Sequence, residues 1–282
     1  MKFFILGSTG MAGHLIAIFL QEQGHDVITF SRRHFPFCKN IVGDAFDVNL
    51  LKKVISEEKF DVVINCIGIL NNLAETRKDK AAFLNGYLPH YISYITKDLP
   101  TKVIQLSTDC VFSGRTGNYN EGSFKDGETF YDRSKALGEL INHKDLTFRN
   151  SIIGPDIDVN GVGLFNWFMK QQREINGYKA IWTGVTTLTL AKAIERATEE
   201  NLVGLYHLVN NEFISKYELL HLFNKYFRNG ELIINKSDDV IVDKSLINTR
   251  TDFDFMVPSY AEMIKEMKEW IVNHKALYPH YF

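Results

Sequence analysis

Cysteine and proline are scarce in this chain of 282 residues, which has three of the first (Cys38, Cys66, Cys110) and six of the second. An odd, sparse set of thiols without paired spacing excludes a disulfide-stapled scaffold and offers no structural zinc pattern. The nine histidines include no His-x-x-x-His or His-Glu-x-x-His arrangement, so no metal is expected. No apolar run reaches the roughly 18 residues that a membrane span needs. The 32 Lys and Arg residues against 34 Asp and Glu give a net charge of -2, with no polybasic block to grip nucleic acid or anionic lipid. Met1 leads straight into a strand-like run, without the basic, apolar and small-residue succession of a secretory signal. The expectation is a cytoplasmic protein with a small-molecule partner. Repeats and low-complexity segments are lacking as well.

What is present is rhythm. Short apolar runs (3–6, 27–30, 62–65, 103–106 and 146–148) alternate with helix-like stretches (13–22, 48–57, 78–97 and 131–141). That alternation predicts an α/β fold, a doubly wound parallel sheet of the Rossmann kind. Beyond Gly154-Pro155 it breaks at the glycine-rich 160–163, ahead of a helix-like 165–174. The expected division is a nucleotide-binding domain over 1–150 and a smaller C-terminal α/β lobe over 151–282 that holds the substrate. A helix over 188–198 and a strand over 204–209 let the chain re-enter the first domain around 183–210. A last helix over 259–274 carries Met263, Ile264, Met267, Trp270 and Ile271 at helical spacing.

The first apolar run ends in Gly7-Ser8-Thr9-Gly10-Met11-Ala12-Gly13. Glycines at 7, 10 and 13, with Thr9 and Met11 between them, suit a strand-turn-helix site for a pyrophosphate: a tight turn, close backbone approach, and a helix N-terminus facing the anion. The second strand ends in Ser31-Arg32-Arg33, where a site for NAD would place a carboxylate on the ribose 2'-hydroxyl. Two guanidiniums suit a 2'-phosphate, hence NADPH over NADH; the other reading makes both solvated loop charges. Asp44-Ala45 brings a carboxylate near the adenine, although Asp44 or Asp47 serves equally well as a helix N-cap. Cys66-Ile67-Gly68 follows the strand over 62–65, at the sheet edge where ligands settle. Cys66 and Cys110 themselves read as small buried hydrophobes.

Tyr131 and Lys135 lie four residues apart, on one face of a helix. A cation there is expected to draw the phenol below its ordinary value near 10, while Lys135 also reaches the cofactor ribose. Thr108 or Ser107, at a strand end, can bond the oxygen that becomes an alkoxide. Thr108, Tyr131 and Lys135 are thus the candidate catalytic set.

The chain resembles the extended short-chain dehydrogenases/reductases, and among them the dTDP-4-dehydrorhamnose reductase family. The likeness rests on the glycine turn, on Asp61 to Asn65, on Asn85, and above all on Leu106-Ser107-Thr108-Asp109-Cys110-Val111-Phe112-Ser113-Gly114. It continues through 131–139, Arg149-Asn150-Ser151, Gly154-Pro155 and 204–208. The resemblance implies that Thr108 polarises a keto oxygen, Tyr131 donates a proton, and NADPH reduces C4 of a nucleotide-linked 4-keto-6-deoxyhexose for surface polysaccharide synthesis. It adds Asn85 to the cofactor site and Ser107, Asp109 and Asn150 to the substrate site, and allows a homodimer. Asp132 and Ile152 depart from the family pattern, so the particular sugar stays open. Arg250 is the candidate for the substrate diphosphate, or else a surface ion pair, and Trp182 for stacking on base or sugar, or else core. Two other readings stand beside this one. The regulatory subunit of methionine adenosyltransferase is similar and would bind cofactor without turnover. A sugar-nucleotide epimerase/reductase would use Cys110 with a histidine that spacing does not identify.

Overall fold

The computed structural model describes every residue except Asp238, Val240 and Ile241. In chain order the first half runs β1 (Lys2–Leu6), α1 (Met11–Glu22), β2 (Asp26–Ser31), β3 (Lys39–Val42), α2 (Val48–Glu58), β4 (Val62–Asn65), α3 (Asn71–Thr76) and α4 (Lys78–Ala81). A π-helical turn (Ala82–Tyr87) leads into α5 (Leu88–Ile95), β5 (Lys102–Leu106), α6 (Phe130–Leu137) and β6 (Leu146–Arg149). The second half adds β7 (Ser151–Ile153), α7 (Leu164–Met169), β8 (Glu174–Tyr178), β9 (Ile181–Trp182), β10 (Gly184–Thr186), α8 (Thr187–Glu199) and β11 (Gly204–His207). It finishes with β12 (Ile214–Ser215), α9 (Lys216–Phe227), β13 (Ile233–Ser237) and α10 (Tyr260–Asn273).

Seven parallel strands form the central sheet in the order β11-β6-β5-β4-β1-β2-β3. Its inner strands β1 and β4 read as nearly unbroken apolar runs because both faces are covered, whereas the edge strand β3 is open to solvent. Along β1, Phe3 and Ile5 enter one buried cluster while Phe4 and Leu6 enter the other. The strand order turns back on itself between β1 and β4, which opens a crevice at the carboxyl ends of those strands. The chain does re-enter the sheet, since β11 pairs with β6. Outside the sheet lie three two-stranded pairs: β7 with β10 packs on α8 and α10, while β9 with β12 and β8 with β13 pack on α9, which in turn meets α7.

Three expected helices differ from their predicted spans, and the one over 165–174 ends at Met169, with Glu174 already opening β8. The stretch over 78–97 is broken into α4, the π turn and α5, because Pro89 in the first turn of α5 lacks an N–H and crowds the carbonyl of Asn85. Helix α6 stops at Leu137, where a Cβ on Gly138 would collide with the Asn85 carbonyl. Residue 139 is thereby free to turn its carboxylate into the interior. No helix among the described residues is long and apolar enough to cross a membrane.

Candidate active site

The glycine turn has the shape that a dinucleotide needs. Gly7 holds a left-handed φ of 87°, and a Cβ on Gly13 would overlap the Gly7 carbonyl, so helix α1 can press against the turn only with glycine at both positions. Gly10 is the N-cap of α1 and supplies no side-chain cap. The first-turn N–H groups of a twelve-residue helix therefore face the crevice, with their dipole favouring an anion.

Beside this turn lies a cavity of about 480 Å³. Gly7, Thr9 and Gly10 form its floor, Ser31, Arg32, Asp44 and Ala45 one side, and Cys66, Ile67 and Gly68 another. Met11 instead begins α1 against Gly163, and Gly13 lies beneath the turn. Arg32 has no hydrogen bond or ion pair among the described residues, whereas Arg33 turns to Asp158 at 3.6 Å. Asp47 is the N-cap of α2, accepting from the Leu50 N–H at 3.0 Å, which separates it from Asp44 in the cavity wall. Sequence reasoning missed the remaining wall: Ile69, Leu73, Arg77, Asp79, Lys80 and Leu84, all from the segment that crosses over β4.

Asn85 is not a cofactor ligand. Its amide spans 69 and 134, accepting from the Ile69 N–H at 2.8 Å and donating to the Ile69 carbonyl and the Ser134 hydroxyl. The π turn aims it there, so Asn85 fixes the cavity wall to helix α6.

Thr108 stands at the end of β5, where it caps a short 3-10 turn by accepting from the Cys110 N–H at 3.2 Å. It donates to Asp109 at 3.0 Å, and its hydroxyl lies close enough to the Tyr131 phenol to draw it down against the larger effect of burial. Tyr131 is 7% exposed and packs on Ile69, Ala74 and Ala81. Lys135 donates to the Leu106 carbonyl at 2.6 Å. The expected acidification of the phenol is corrected here: burial, joined by Cys110, pushes Tyr131 above its ordinary value. The i,i+4 spacing fixes a common face, but the ammonium is spent on a carbonyl. Burial brings Lys135 itself down to about 8, against the pull of Glu139 and Cys66.

Three proposed substrate contacts are also corrected. Ser107 donates to Glu139 at 2.7 Å rather than facing the cleft, because Glu139 is the buried anion of an ion pair with Arg149. Trp182 is 5% exposed, donates to Ser151 and packs on Tyr260, which makes it core. Arg250 donates to the Val203 and Leu205 carbonyls at 2.8 Å each and forks onto Asp252. That places it at the amino end of β11, the opposite edge of the sheet from the crevice.

Asn150 follows β6 at the carboxyl edge of the sheet, buried, with an Nδ2 that finds no partner among the described residues. Asp109 is buried and its carboxyl is raised by burial, against the Thr108 hydrogen bond and the nearby charges of Lys244 and Lys216. Burial pushes the Cys66 and Cys110 thiols up to about 12 each, which suits packing and not nucleophilic chemistry.

A sheet of this order, with a glycine turn after its first strand and a Thr, Tyr and Lys set past its fifth, is the architecture of the extended short-chain dehydrogenases/reductases. The family model described as RmlD substrate binding domain matches residues 1–154, more than half of the chain, and the chain belongs to that family. It is similar to a probable low-salt glycan biosynthesis reductase of Haloferax volcanii, 32% identical over 140 residues, covering 48% of this chain and 47% of that protein. The match therefore spans about half of that relative's own length. It is also similar to the methionine adenosyltransferase 2 subunit beta of Xenopus laevis, 23% identical over 233 residues, covering 76% of this chain and 69% of that one. Among solved structures it resembles the dTDP-4-dehydrorhamnose reductase of Bacillus anthracis in complex with NADP: TM-score 0.80, 20% identity, 94% of this chain and 98% of that one, a likeness of fold.

Proposed function

We propose that this chain is a cytoplasmic NADPH-dependent reductase of a nucleotide-linked 4-keto-6-deoxy sugar, in the synthesis of a surface polysaccharide. The observation that carries this reading is that Tyr131 is buried against Ile69, a residue that also lines the cavity beside the glycine turn, with the Thr108 hydroxyl near its phenol. The cavity beside the glycine turn fits a dinucleotide, with the open N-terminus of α1 for the pyrophosphate and Arg32 for a 2'-phosphate. Bound there, NADPH would supply a hydride to C4 of the sugar.

The chain's own part is to hold and move a proton. Thr108 orients the keto oxygen with its hydroxyl, and Tyr131 gives its proton to that oxygen as negative charge develops. A phenol raised by burial stays protonated at neutral pH and is still a far stronger acid than the alcohol formed. Lys135, charged below about pH 8 and oriented by the Leu106 carbonyl, would hold the cofactor ribose with its ammonium. The unpartnered Asn150 amide supports a ligand at the same edge. We assign substrate recognition mainly to residues 151–282 and cofactor binding to 1–150, with a homodimer as the assembly.

The longer likeness to a methionine adenosyltransferase subunit favours a second reading, a subunit that binds the dinucleotide without turnover. Thr108, Tyr131 and Lys135 together speak for chemistry, since binding alone needs no proton donor. The deciding experiment incubates the protein with NADPH and dTDP-, UDP- or GDP-linked 4-keto-6-deoxy sugars and follows absorbance at the nicotinamide band. Oxidation with one of them is expected. NADPH binding without oxidation by any would favour the second reading, and no binding would end both.

A further inference from the structure

We propose that Glu75 is a positioning residue that couples filling of the dinucleotide cavity to the seating of Tyr131. The inference rests on the cofactor reading above and goes beyond it. Helix α6 begins with four backbone N–H groups to satisfy. A capping box takes two: Asp132 accepts from the Thr129 N–H, and Thr129 accepts from the Asp132 N–H, each at 3.1 Å. The other two belong to Phe130 and to Tyr131 itself, and both donate to a single oxygen of Glu75, at 2.6 Å and 3.2 Å. Glu75 lies 55 and 56 residues away from them, on α3.

The segment that carries Glu75 has two working sides. Leu73, Arg77 and Lys80 face the cavity, whereas Ala74 and Ala81 pack on the Tyr131 ring. Leu73 is 56% exposed, an apolar surface that a dinucleotide in the cavity would cover. The phosphates would draw Arg77 and Lys80 in the same direction. Any such shift passes to the backbone of Tyr131 through the Glu75 carboxylate, and a misplacement near 1 Å at a reacting group costs about 100-fold in rate.

The test compares wild type, Glu75→Ala and Glu75→Gln with NADPH and dTDP-4-dehydrorhamnose, by turnover, by melting temperature and by amide hydrogen exchange. NADPH should slow exchange at Phe130 and Tyr131 in the wild type, and Glu75→Ala should lose that protection while keeping protection at the glycine turn. Its kcat should fall about 10- to 100-fold with the sugar KM within about twofold, and Glu75→Gln, which keeps an acceptor oxygen, should recover most of the loss. NADPH that protects the glycine turn but not 130–131, or a Glu75→Ala variant that keeps wild-type protection at 130–131, overturns the coupling. A drop in melting temperature with unchanged protection and kcat would reduce Glu75 to an ordinary helix cap and overturn it too. Failure of the wild type to bind NADPH shows instead as no protection anywhere, and that result sinks the cofactor reading and the inference with it.

Discussion

Glu139 is held by Arg149 through both carboxylate oxygens, at 2.7 Å to Nε and 2.7 Å to Nη2, with the two side chains 0% and 1% exposed. Burial raises a carboxyl in such a place, yet the Arg149 fork, with Ser107 and Lys125, outweighs it and leaves Glu139 below its ordinary value. Arg149 also donates to His207 Nε2, whose Nδ1–H goes to the Ile247 carbonyl. The pair thus ties the segment after α6 to β6 and β11, and through Ser107 to the residue beside Thr108. Arg149→Met leaves the buried anion with only Lys125 and Ser107 and should cost about 3 kcal/mol of stability, the low end for a broken buried pair. Urea unfolding measures it, and adding Glu139→Gln should lose less than the two single changes summed.

Tyr131→Phe removes one hydroxyl and leaves the ring on Ala74 and Ala81. NADPH binding, followed by fluorescence, should stay within about twofold, while kcat falls about 100- to 10,000-fold, the usual worth of a general acid. A variant that keeps a tenth of wild-type turnover would remove Tyr131 from the proton-donating role.

Lys135 sets the pH dependence. Burial lowers it to about 8, so the ammonium proposed to hold the cofactor ribose is present at pH 7 and disappears as pH rises. The rate of sugar reduction should therefore decline through about pH 8, and a pH profile of kcat reads it directly. In Lys135→Met the limb should vanish along with most of the rate.

Arg32 and Arg250 form a contrasting pair. Arg32 lines the cavity without a partner among the described residues, so Arg32→Ala should weaken NADPH by about 10- to 100-fold, the worth of charge-assisted hydrogen bonds to a phosphate, and leave NADH within about twofold. Arg250→Ala removes bonds to the Val203 and Leu205 carbonyls and should lower the melting temperature by a few degrees with the sugar KM unchanged. Steady-state kinetics with both cofactors and a thermal melt separate the two roles.

The contrast shows what a sequence can carry. Strands buried on both faces, such as 3–6 and 62–65, announce themselves as apolar runs, and the glycine turn follows from position alone. Arg250 and Trp182 have the residue types of a ligand site, but residue type does not say which edge of the sheet a loop returns to. Lys135 shares a helical face with Tyr131, yet only the fold shows its ammonium turned to Leu106. Glu75 was beyond reach for another reason: its partners are backbone N–H groups, which have no signature in side-chain spacing. Pro89 was visible, and it explains the broken helix; the resulting aim of Asn85 at Ile69 was not.

His14 offers a test of the fold independent of any substrate. It sits in the first turn of α1, fully buried, bonded to the Gly10 carbonyl at 2.9 Å through Nδ1 and to the Tyr278 hydroxyl at 2.9 Å through Nε2. Trp270 donates to the same hydroxyl, so α10 and the C-terminal turn are anchored to the phosphate turn through this imidazole. Burial lowers its pKa from 6.5 to about 4, and His207 is lowered to about 4 as well, by burial and then by the Arg149 charge. The unfolded chain takes up these protons near 6.5 and the folded chain only near 4, so each contribution is whole above about pH 6.5 and is lost as pH falls through 4. Each is worth on the order of 3 kcal/mol. Urea unfolding at intervals between pH 7 and 4 should show a steep loss of stability, and His14→Gln, which cannot take up a proton, should flatten about half of it.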